Sequence, residues 1–469
     1  MCETKTMKQE VLFNPQLIER YDTTGPRYTS YPTAVQFHEG FDAIAYRRFT
    51  DASNAELIPR PLSLYVHLPF CQSLCYYCAC TKKITRNFGH GQDYLKHLLM
   101  EIRMQGQLFD HDRSVLQLHL GGGTPTFFDD SQLEVLMEEL GRWFALLKTG
   151  VREYSIEIDP RTVDSGRLRH LHKLGFNRVS MGVQDFDPHV QKAVNRIQDE
   201  QETLELISDA QEMGFESVSV DLIYGLPLQT PDTFRKTIET VISARPSRLA
   251  VYNYAHLPLI FRAQRMINPN HIPKPATKLA LLELTIGMLI EAGYVYIGMD
   301  HFALPDDELT IAQKEHRLQR NFQGYSTFKE CDLVGLGMSA IGKIGDCYAQ
   351  NLKGIPAWKS AVCAAELPIW RGLALSIEDR LRRTIIESIM CRGGLRFVEY
   401  ECCFGLEFAE HFAPEMEVLK RQAEDGLLEL DEDGFSVSPA GRLLLRNVAM
   451  VFDEYLARAT ENRQFSHVI

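Results

Sequence analysis

The chain has 469 residues, 45% hydrophobic and 24% charged, and is long enough for a barrel of about 200–300 residues with an appendage. Its formal net charge of -12 disfavours general binding of nucleic acid, and no uninterrupted apolar run reaches the length of a membrane span. The first fifteen residues lack the apolar core of a signal peptide, so we expect a cytoplasmic protein whose eleven cysteines are reduced.

Short runs rich in β-branched and aromatic residues alternate along the chain with stretches of helical periodicity. The predicted strands are 62–68, 116–120, 153–158, 177–183, 217–223, 248–254 and 294–300. The predicted helices between them include 94–109, 130–144, 202–214 and 277–293. This alternation predicts βαβ units and a parallel sheet that curls into a full or partial (β/α) barrel.

The sequence predicts three segments. Residues 1–45 form an N-terminal extension, in which Pro26 and Pro32 make a regular strand over 25–34 unlikely. Residues 46–364 form the α/β barrel and its extension. Residues 365–469 form a small, mainly helical C-terminal domain, with a helix at 375–392, a hairpin at 426–438 that turns at Asp433 and Gly434, and a closing helix at 440–458.

Polar and glycine residues gather at the ends of the predicted strands, which form the active-site face of a parallel barrel. In chain order these are the cysteines after the first strand, Gly121–Gly123, Glu157 and Asp159, Gln184, Asp221, Ala255 and His256, and Asp300. Each carboxylate alone is as well explained by a loop cap or an ion pair, but their shared placement favours one functional site.

Cys71, Cys75, Cys78 and Cys80 fall within ten residues, directly after the first predicted strand. Thiolates at the spacing C-x3-C-x2-C can hold three irons of a [4Fe–4S] cluster and leave the fourth iron open. An open iron can chelate the amino and carboxylate groups of S-adenosylmethionine, and one electron then breaks a carbon–sulfur bond to form a radical. We therefore predict Cys71, Cys75 and Cys78 as the metal ligands.

Structural zinc is the competing interpretation of the same cysteines. It usually takes four ligands from two paired knuckles, and no second knuckle follows Cys80. Four core cysteines are a weaker alternative, because one tight loop cannot bury four side chains.

Gly121–Gly123 are followed by Thr124 and Pro125. Glycines allow a ligand to approach the backbone, although the run is also compatible with a simple tight turn. Beside the cysteine loop, we expect it to contact the methionine part of the cofactor. Glu157 is placed to accept ribose hydroxyls, and a buried ion pair is its alternative role.

The chain resembles the oxygen-independent coproporphyrinogen III oxidase family of the radical S-adenosylmethionine superfamily. The resemblance runs over nearly the whole chain and is carried by GPRYTSYPTA, YVHLPFCQSLCYYCAC, HLGGGTPT, IEIDPRT, SMGVQDF, VNRIQ, DLIYGLP, NYAHLP, GMDHFA, NFQGY and the final FSHVI. The cysteine motif alone is typical of the superfamily, and the other motifs narrow it to this family.

The resemblance implies a reaction of haem biosynthesis. Two propionate side chains of coproporphyrinogen III become vinyl groups, giving protoporphyrinogen IX with two carbon dioxide, two methionine and two 5′-deoxyadenosine. A 5′-deoxyadenosyl radical removes hydrogen from the β-carbon of a propionate, and carbon dioxide and one electron then leave. The resemblance further implies one [4Fe–4S] cluster, two S-adenosylmethionine molecules, an unidentified electron donor and a monomeric enzyme.

By motif, Tyr65, Gly122, Glu157 and Ile341 correspond to contacts with the S-adenosylmethionine on the cluster. The residues that correspond to contacts with the second molecule are Tyr77, Gly123, Thr124, Gln184, Arg196, Asp221 and Ala255. Tyr65 and Gln323 are the implied catalytic residues, with Gln323 on the substrate side. Arg196 suits bidentate binding of a carboxylate, but without the motif a surface ion pair is its ordinary role.

Ala79 and Tyr77 depart from glycine and phenylalanine, which the family often has there, and neither change removes a ligand. Arg27, Lys82, Lys83 and Arg86 are candidates for pairing with the substrate's four propionates, and residues 25–34 are a candidate lid. The rival function is that of the related haem chaperone, which shares the three-cysteine loop and transfers haem without decarboxylation. Cys80, the RYTSYPT segment and Arg196 favour the oxidase.

Overall fold

The computed structural model describes residues 11–328 and 331–458, so the final motif FSHVI lies outside the described residues. The chain forms two compact units. The first comprises residues 34–285 and 328–375, and the second comprises residues 1–33, 286–327 and 376–469. In the described part of the chain, no helix is long and apolar enough to cross a membrane.

The first unit is built on a mainly parallel sheet. Its parallel strands, in spatial order, are Arg248–Asn253, Ser217–Tyr224, Arg178–Gln184, Glu153–Ile158, Ser114–Gly122, Leu62–Leu68 and Asp332–Leu336. The order follows the chain from Leu62 to Asn253, and Asp332–Leu336 then adds at the other side of the first strand. Six of the predicted strands are confirmed here, as is the α/β class with an open, partial barrel.

An antiparallel extension continues the sheet beyond Asp332–Leu336. Its strands are Ile341–Ile344, Cys347–Asn351 and Ile369–Ala374. These strands were not predicted from the sequence, and the helical pattern expected from residue 365 begins only at Ile377. The first strand is buried at six of its seven positions, as is typical of a sheet that is covered on both faces.

The sheet is accompanied by helices, most of which connect successive parallel strands. Their bounds are Ala43–Asn54, Gly89–Gly106, Asp130–Trp143, Ser165–Lys173, Pro188–Ala193, Glu200–Glu212, Pro231–Ala244, Pro275–Glu291 and Ile355–Cys363. Most begin where the sequence supplies a capping side chain: Asp129 and Thr230, for example, each bond the backbone of the first helical turn in a capping box. The loops that precede these capped helices lie at the carboxyl ends of the strands.

The second unit is mainly helical. Its helices are Pro15–Tyr21, Glu308–Lys314, Ile377–Arg392, Phe397–Phe404, Phe408–His411, Ala413–Glu424, Leu445–Met450 and Glu454–Ala457. A small antiparallel sheet orders Gly394–Arg396, Gly434–Val437 and Leu428–Leu430. Its core contains Phe408, Phe412 and Phe452, each fully buried. The predicted hairpin at 426–438 is confirmed, with its turn spanning Asp431 to Gly434.

Two predicted elements of this unit are shorter than expected. The strand predicted at 294–300 is confirmed only over Val295–Gly298, because Gly298 and Met299 take positive φ values of 150° and 52° and reverse the chain into a second strand, His301–Ala303. The single helix at 440–458 is broken into Gly441–Leu444, Leu445–Met450 and Glu454–Ala457. The middle piece ends at Met450, and the Asp453 side chain caps the next helix by accepting from the backbone amides of Tyr455 and Leu456.

Residues 25–34 form no regular strand, as predicted, and they pack within the second unit. The Tyr28 hydroxyl donates to Asp453 Oδ2 at 2.9 Å, and Arg446 Nε donates to the Pro26 carbonyl at 3.0 Å. Tyr28 and Tyr31 are buried in the same core as the C-terminal helices. The division of the chain at residues 45 and 364 stays a prediction.

Candidate radical S-adenosylmethionine site

The cysteine loop is closed at its base by a short parallel pair of strands. Phe70–Cys71 pairs with Lys83–Ile84. The amide of Lys83 donates to the Pro69 carbonyl at 2.7 Å, and the amide of Thr85 donates to the Cys71 carbonyl at 2.9 Å. Both ends of the loop are therefore fixed to the end of the first strand by backbone bonds alone.

Further bonds hold the middle of the loop. The Tyr76 amide donates to the Val194 carbonyl at 2.9 Å, and Asn195 Nδ2 donates to the Leu74 carbonyl at 2.7 Å. Lys82 Nζ donates to the Cys78 carbonyl at 3.0 Å. The VNRIQ segment thus anchors the cysteine loop, a role that its sequence did not indicate.

A cavity of about 400 Å³ opens at the carboxyl ends of the parallel strands. Cys71, Cys75 and Cys78 all line it. The predicted cofactor residues that also line it are Tyr77, Gly123, Thr124, Glu157, Gln184, Arg196 and Asp221. The structure therefore brings most of the predicted site together around one space.

The remaining predicted residues lie elsewhere. Tyr65, Gly122, Ala255 and Ile341 belong to the same unit but not to the lining of the cavity. Gln323 lies in the second unit, in the turn of a hairpin, where its backbone amide donates to Asn321 Oδ1 at 2.8 Å.

Hydrogen-bond donors face the thiol groups. Thr124 Oγ1 donates to Cys71 Sγ at 3.5 Å, and Cys75 Sγ accepts from Arg196 Nη1 at 3.6 Å and from Arg161 Nη2 at 3.7 Å. Donors to cluster sulfurs stabilise their negative charge and tune the cluster's reduction potential. Arg161 was missed by the sequence analysis, although its place in IEIDPRT was a usable signal.

The thiols differ in their acidity. Burial raises the pKa of Cys71 to about 11. A hydrogen bond from the Cys80 thiol, together with nearby Lys82, lowers the pKa of Cys78 to about 6 despite burial. Cys80 thus serves as a hydrogen-bonding neighbour of Cys78 and is itself exposed.

The three predicted ligands are thiols that line one cavity. A cubane cluster bonds each of its thiolates through a different iron. Within residues 11–328 and 331–458, no group of three or more His, Cys, Asp or Glu side chains was found that could hold a single metal ion.

Glu157 lies at the centre of a hydrogen-bonded group beside the cysteine loop. Its Oε1 accepts from His119 Nε2 at 3.2 Å and its Oε2 accepts from the Gly122 amide at 3.1 Å. Burial alone would raise its pKa, but these bonds and the His119 charge hold that pKa below its usual value. The side chain is 43% exposed, so the carboxylate is open to a ligand in the cavity.

Tyr65 belongs to the same group through its ring. It stacks on His119, with ring centroids 5.9 Å apart, and its hydroxyl bonds to His67 Nδ1 at 3.0 Å. His67 Nε2 in turn bonds to the Thr81 carbonyl at 3.0 Å. These contacts link the first strand to the cysteine loop and fix the Tyr65 ring.

Arg196 is fully buried and shares the Asp159 carboxylate with Arg161. Its two terminal nitrogens lie 3.3 Å from the two Asp159 oxygens, and Arg161 Nε and Nη2 bind the same carboxylate at 2.9 and 2.6 Å. Burial would raise the pKa of Asp159, but the two guanidinium groups hold it below its ordinary value. The pair of cations beside one carboxylate leaves net positive charge at the cavity wall.

Asp221 lines the cavity near Ser180 and Gln184. Burial, with a smaller contribution from the Glu157 charge, raises the pKa of Asp221 to about 7. Ser180 Oγ lies 3.4 Å from both carboxylate oxygens. Gln184 ends its strand with a positive φ of 68°, which re-aims its side chain at the bulge where the strand pairing shifts.

Gln264 joins two predicted residues and was missed by the sequence analysis. Its Nε2 donates to the carbonyls of Tyr77 and Ala255, both at 3.1 Å. Ala255 follows the strand Arg248–Asn253, so the amide ties the cysteine loop to the far strand of the parallel set. No motif in the sequence marks this glutamine.

The propionate candidates separate in the structure. Lys82 and Arg86 line the cavity, whereas Lys83 projects from the exposed base of the loop and is not part of the lining. Arg27 lies in the second unit, where it forms an ion pair with Asp300.

Known proteins match this chain along almost its whole length. It is 49% identical to the oxygen-independent coproporphyrinogen III oxidase of Pseudomonas aeruginosa, over 99% of this chain and 100% of that protein. The corresponding protein of Escherichia coli is 47% identical, over 98% of this chain and 99% of its own length. The chain belongs to the oxygen-independent coproporphyrinogen III oxidase family.

Family domains and solved structures agree with this assignment. The radical SAM superfamily domain matches residues 65–241, and the HemN C-terminal domain matches residues 375–444. A solved structure of coproporphyrinogen III oxidase from Escherichia coli, described as a radical SAM enzyme, aligns with a TM-score of 0.90 at 46% identity. The alignment covers 95% of this chain and 100% of the chain in the solved structure. The chain is thus a radical SAM oxidoreductase, a class that uses a [4Fe–4S] cluster and S-adenosylmethionine.

Proposed function

We propose that the protein converts coproporphyrinogen III to protoporphyrinogen IX without oxygen. Two propionates become vinyl groups, and two carbon dioxide, two methionine and two 5′-deoxyadenosine are released. The observation that carries this proposal is the 49% identity to a coproporphyrinogen III oxidase over 99% of the chain, together with three thiols around one cavity. Identity over almost the full length to coproporphyrinogen III oxidases favours this function over that of the related haem chaperone.

Cys71, Cys75 and Cys78 are the proposed ligands of one [4Fe–4S] cluster. When bound, the cluster and S-adenosylmethionine supply the carbon radical that removes hydrogen from the propionate. The protein's own contribution is to position the cofactor and to keep water away from the reacting atoms. The donors from Thr124, Arg161 and Arg196 to the thiols support the ligand assignment, because they stabilise thiolate charge.

Two S-adenosylmethionine molecules are proposed, each with its own set of residues. Tyr65, Gly122, Glu157 and Ile341 would bind the molecule on the cluster. Glu157 supports this role because its carboxylate is fixed by His119 and open to the cavity, as a group that accepts ribose hydroxyls should be. Tyr65 is also proposed as a catalytic residue.

The second molecule would lie against Tyr77, Gly123, Thr124, Gln184, Arg196, Asp221 and Ala255. Arg196 supports this assignment: its guanidinium lies at the cavity wall, and Arg161 can keep Asp159 paired while Arg196 binds a ligand carboxylate. Gln323 remains a proposed substrate-side residue.

The remaining proposals concern partners and segments. We propose a monomeric, cytoplasmic enzyme that receives electrons from a separate donor. Residues 1–45 would act as an N-terminal extension and possible lid, 46–364 as the catalytic barrel, and 365–469 as the C-terminal domain.

One experiment tests the proposed function. The protein is purified without oxygen, its cluster is rebuilt, and it is given dithionite, S-adenosylmethionine and coproporphyrinogen III. We expect 5′-deoxyadenosine and protoporphyrinogen IX to form together, in a ratio of two to one. Stable haem binding without decarboxylation would support the chaperone function instead, and stoichiometric zinc without iron would contradict both.

A further inference from the structure

Residues 57–92 contain no aspartate or glutamate, although the whole chain has 62 of them and a net charge of -12. The same stretch carries Lys82, Lys83 and Arg86 in its last dozen residues. Residues 81–90, which we call the basic loop, are mostly exposed. The basic loop thus carries three cations and no carboxylate on a protein of net negative charge, and Lys83 and Arg86 are exposed.

The basic loop lies directly beside the proposed cluster ligands. Lys83 and Ile84 pair in register with Phe70 and Cys71. Neighbouring strands are about 4.8 Å apart, so the backbone of the basic loop is one strand spacing from Cys71. A protein bound over Lys83 and Ile84 would therefore be separated from Cys71 by a single strand.

The basic loop is held in one conformation. Thr85 Oγ1 bonds to His90 Nδ1 at 3.0 Å and accepts from the Asn87 amide at 3.1 Å. The Phe88 ring stacks on Phe127 with centroids 5.0 Å apart, yet the side chain stays 55% exposed. A rigid aromatic side chain amid positive charges is typical of a protein-binding surface.

The positive charges of this loop are not neutralised nearby. In the described part of the chain, neither Lys83 nor Arg86 forms an ion pair. Asp93, the next acidic residue along the chain, is bound by Lys359, which lowers its pKa. Lys83 also lies outside the cavity lining, so the carboxylates of a substrate in the cavity do not account for it.

We propose that the basic loop is the docking surface for an acidic one-electron carrier protein. This inference rests on the proposed function, because each cleavage of S-adenosylmethionine consumes one electron. That electron leaves the reduced flavin or iron–sulfur group of the carrier and enters the cluster, and no bond is made or broken in the transfer. Charge complementarity favours an acidic carrier and excludes a basic one.

The first test measures binding to the protein with its cluster rebuilt. The probe is a flavodoxin, an acidic flavoprotein, and its Kd is measured by calorimetry at low salt. We expect Lys83→Glu to raise this Kd about tenfold or more, and added salt to weaken binding of the unaltered protein. Lys236→Glu is the matched control, because Lys236 is exposed on the outer helix Pro231–Ala244 and undergoes the same charge change.

The second test follows reduction of the cluster by its visible absorbance. Lys83→Glu should slow reduction by flavodoxin hydroquinone about tenfold and leave turnover with dithionite unchanged. Equal Kd values for Lys83→Glu and Lys236→Glu would overturn the proposal, as would equally tight binding of the basic carrier cytochrome c. Loss of dithionite-driven turnover in Lys83→Glu would also overturn the proposal, because it would show that Lys83 is needed to bind the substrate. Failure of the unaltered protein to turn over with dithionite would instead contradict the proposed function.

Discussion

Cys78 and Cys80 are two residues apart but have different surroundings. Both residues line the cavity, but Cys78 is partly buried and Cys80 is exposed, and the Cys80 thiol donates a hydrogen bond that lowers the Cys78 pKa. We propose that Cys78 is the ligand and that Cys80 assists it.

Replacing each cysteine with serine should separate these roles. We expect Cys78→Ser to abolish cluster assembly, because only two thiolates would remain. Cys80→Ser should retain the cluster, since a hydroxyl can still donate to Cys78. Iron and sulfide content after reconstitution measures both. Loss of the cluster in both variants would mean that the ligands are assigned incorrectly.

Asp221 leads to a prediction about pH. Burial raises the pKa of this carboxyl to about 7, so it is half protonated at neutral pH. If it accepts ribose hydroxyls or pairs with an ammonium, it must be ionised to bind. The KM for S-adenosylmethionine should therefore rise as pH falls from 8 to 6.

Asp221→Asn tests this pH dependence. The variant should bind S-adenosylmethionine about tenfold or more weakly, since its charge is lost, and its KM should stay level across the same pH range. The measurement is 5′-deoxyadenosine formation with dithionite as the reductant. A KM that changes with pH equally in both proteins would assign the titration to another group.

At the scale of elements, the glycine turn after the second strand is shaped by close contact with the cysteine loop. Gly122 has a φ of +111°, a region that favours glycine. A Cβ on Gly123 would lie 2.7 Å from the Phe70 carbonyl oxygen and the Pro69 carbonyl carbon. Both are backbone atoms at the entrance to Cys71, so a larger residue must displace the loop.

Gly123→Ala should therefore reduce cluster content strongly. The unit should remain folded, because the change acts on a loop and not on the core. Gly141→Ala is the matched control: it lies in the helix Asp130–Trp143, and its new Cβ would meet only Leu146 at an ordinary 3.7 Å. Iron content and circular dichroism distinguish the two. Full cluster loading in Gly123→Ala would show that the loop can shift without harm.

Element prediction succeeded where one local pattern decides the outcome. The strands Leu62–Leu68 and Glu153–Ile158 have the bounds that their apolar and β-branched runs predicted. The strands Ile341–Ile344 and Cys347–Asn351 were missed, because their pairing depends on contacts with the rest of the sheet. The break near Asp453 was missed because a helical pattern does not reveal that one side chain caps a new helix.

At the scale of the whole molecule, Glu101 connects distant parts of the chain within the first unit. Its carboxylate accepts from the Gly337 amide at 2.9 Å, Asn351 Nδ2 at 2.6 Å and Trp358 Nε1 at 2.8 Å. Burial raises its pKa from 4.5 to about 7 despite these bonds. The folded protein therefore holds a proton that the unfolded chain releases above pH 4.5.

This shift predicts that stability falls as pH rises. The Glu101 contribution is complete below pH 4.5 and is lost progressively up to about pH 7, a difference of about 3 kcal/mol at most. Glu101→Gln carries no titrating group, so its stability relative to the unaltered protein should improve steadily from pH 5 to pH 7. Urea unfolding at each pH measures the difference. Parallel stability curves would refute the assignment.

The residues that line the cavity were easier to predict from the sequence than the residues that hold them in place. Tyr77, Glu157 and Asp221 could be found because motifs mark them and strand ends gather them. Arg161 lies in the IEIDPRT motif and could also have been found. Gln264 could not, since no motif marks it and it acts through the distant Tyr77 carbonyl. Motifs indicate groups that contact a cofactor, whereas supporting bonds become visible only when the chain is folded.

The backbone pairing of Phe70–Cys71 with Lys83–Ile84 has a consequence for the life of the enzyme. These bonds, and those from Tyr76 and Asn195, join parts of the chain directly and involve none of the cysteine thiols. A protein that loses its iron to oxygen should therefore keep its binding loop in place and its fold intact. Damage by air then becomes a repairable event, in which the cell replaces iron and sulfide and does not need to make a new chain.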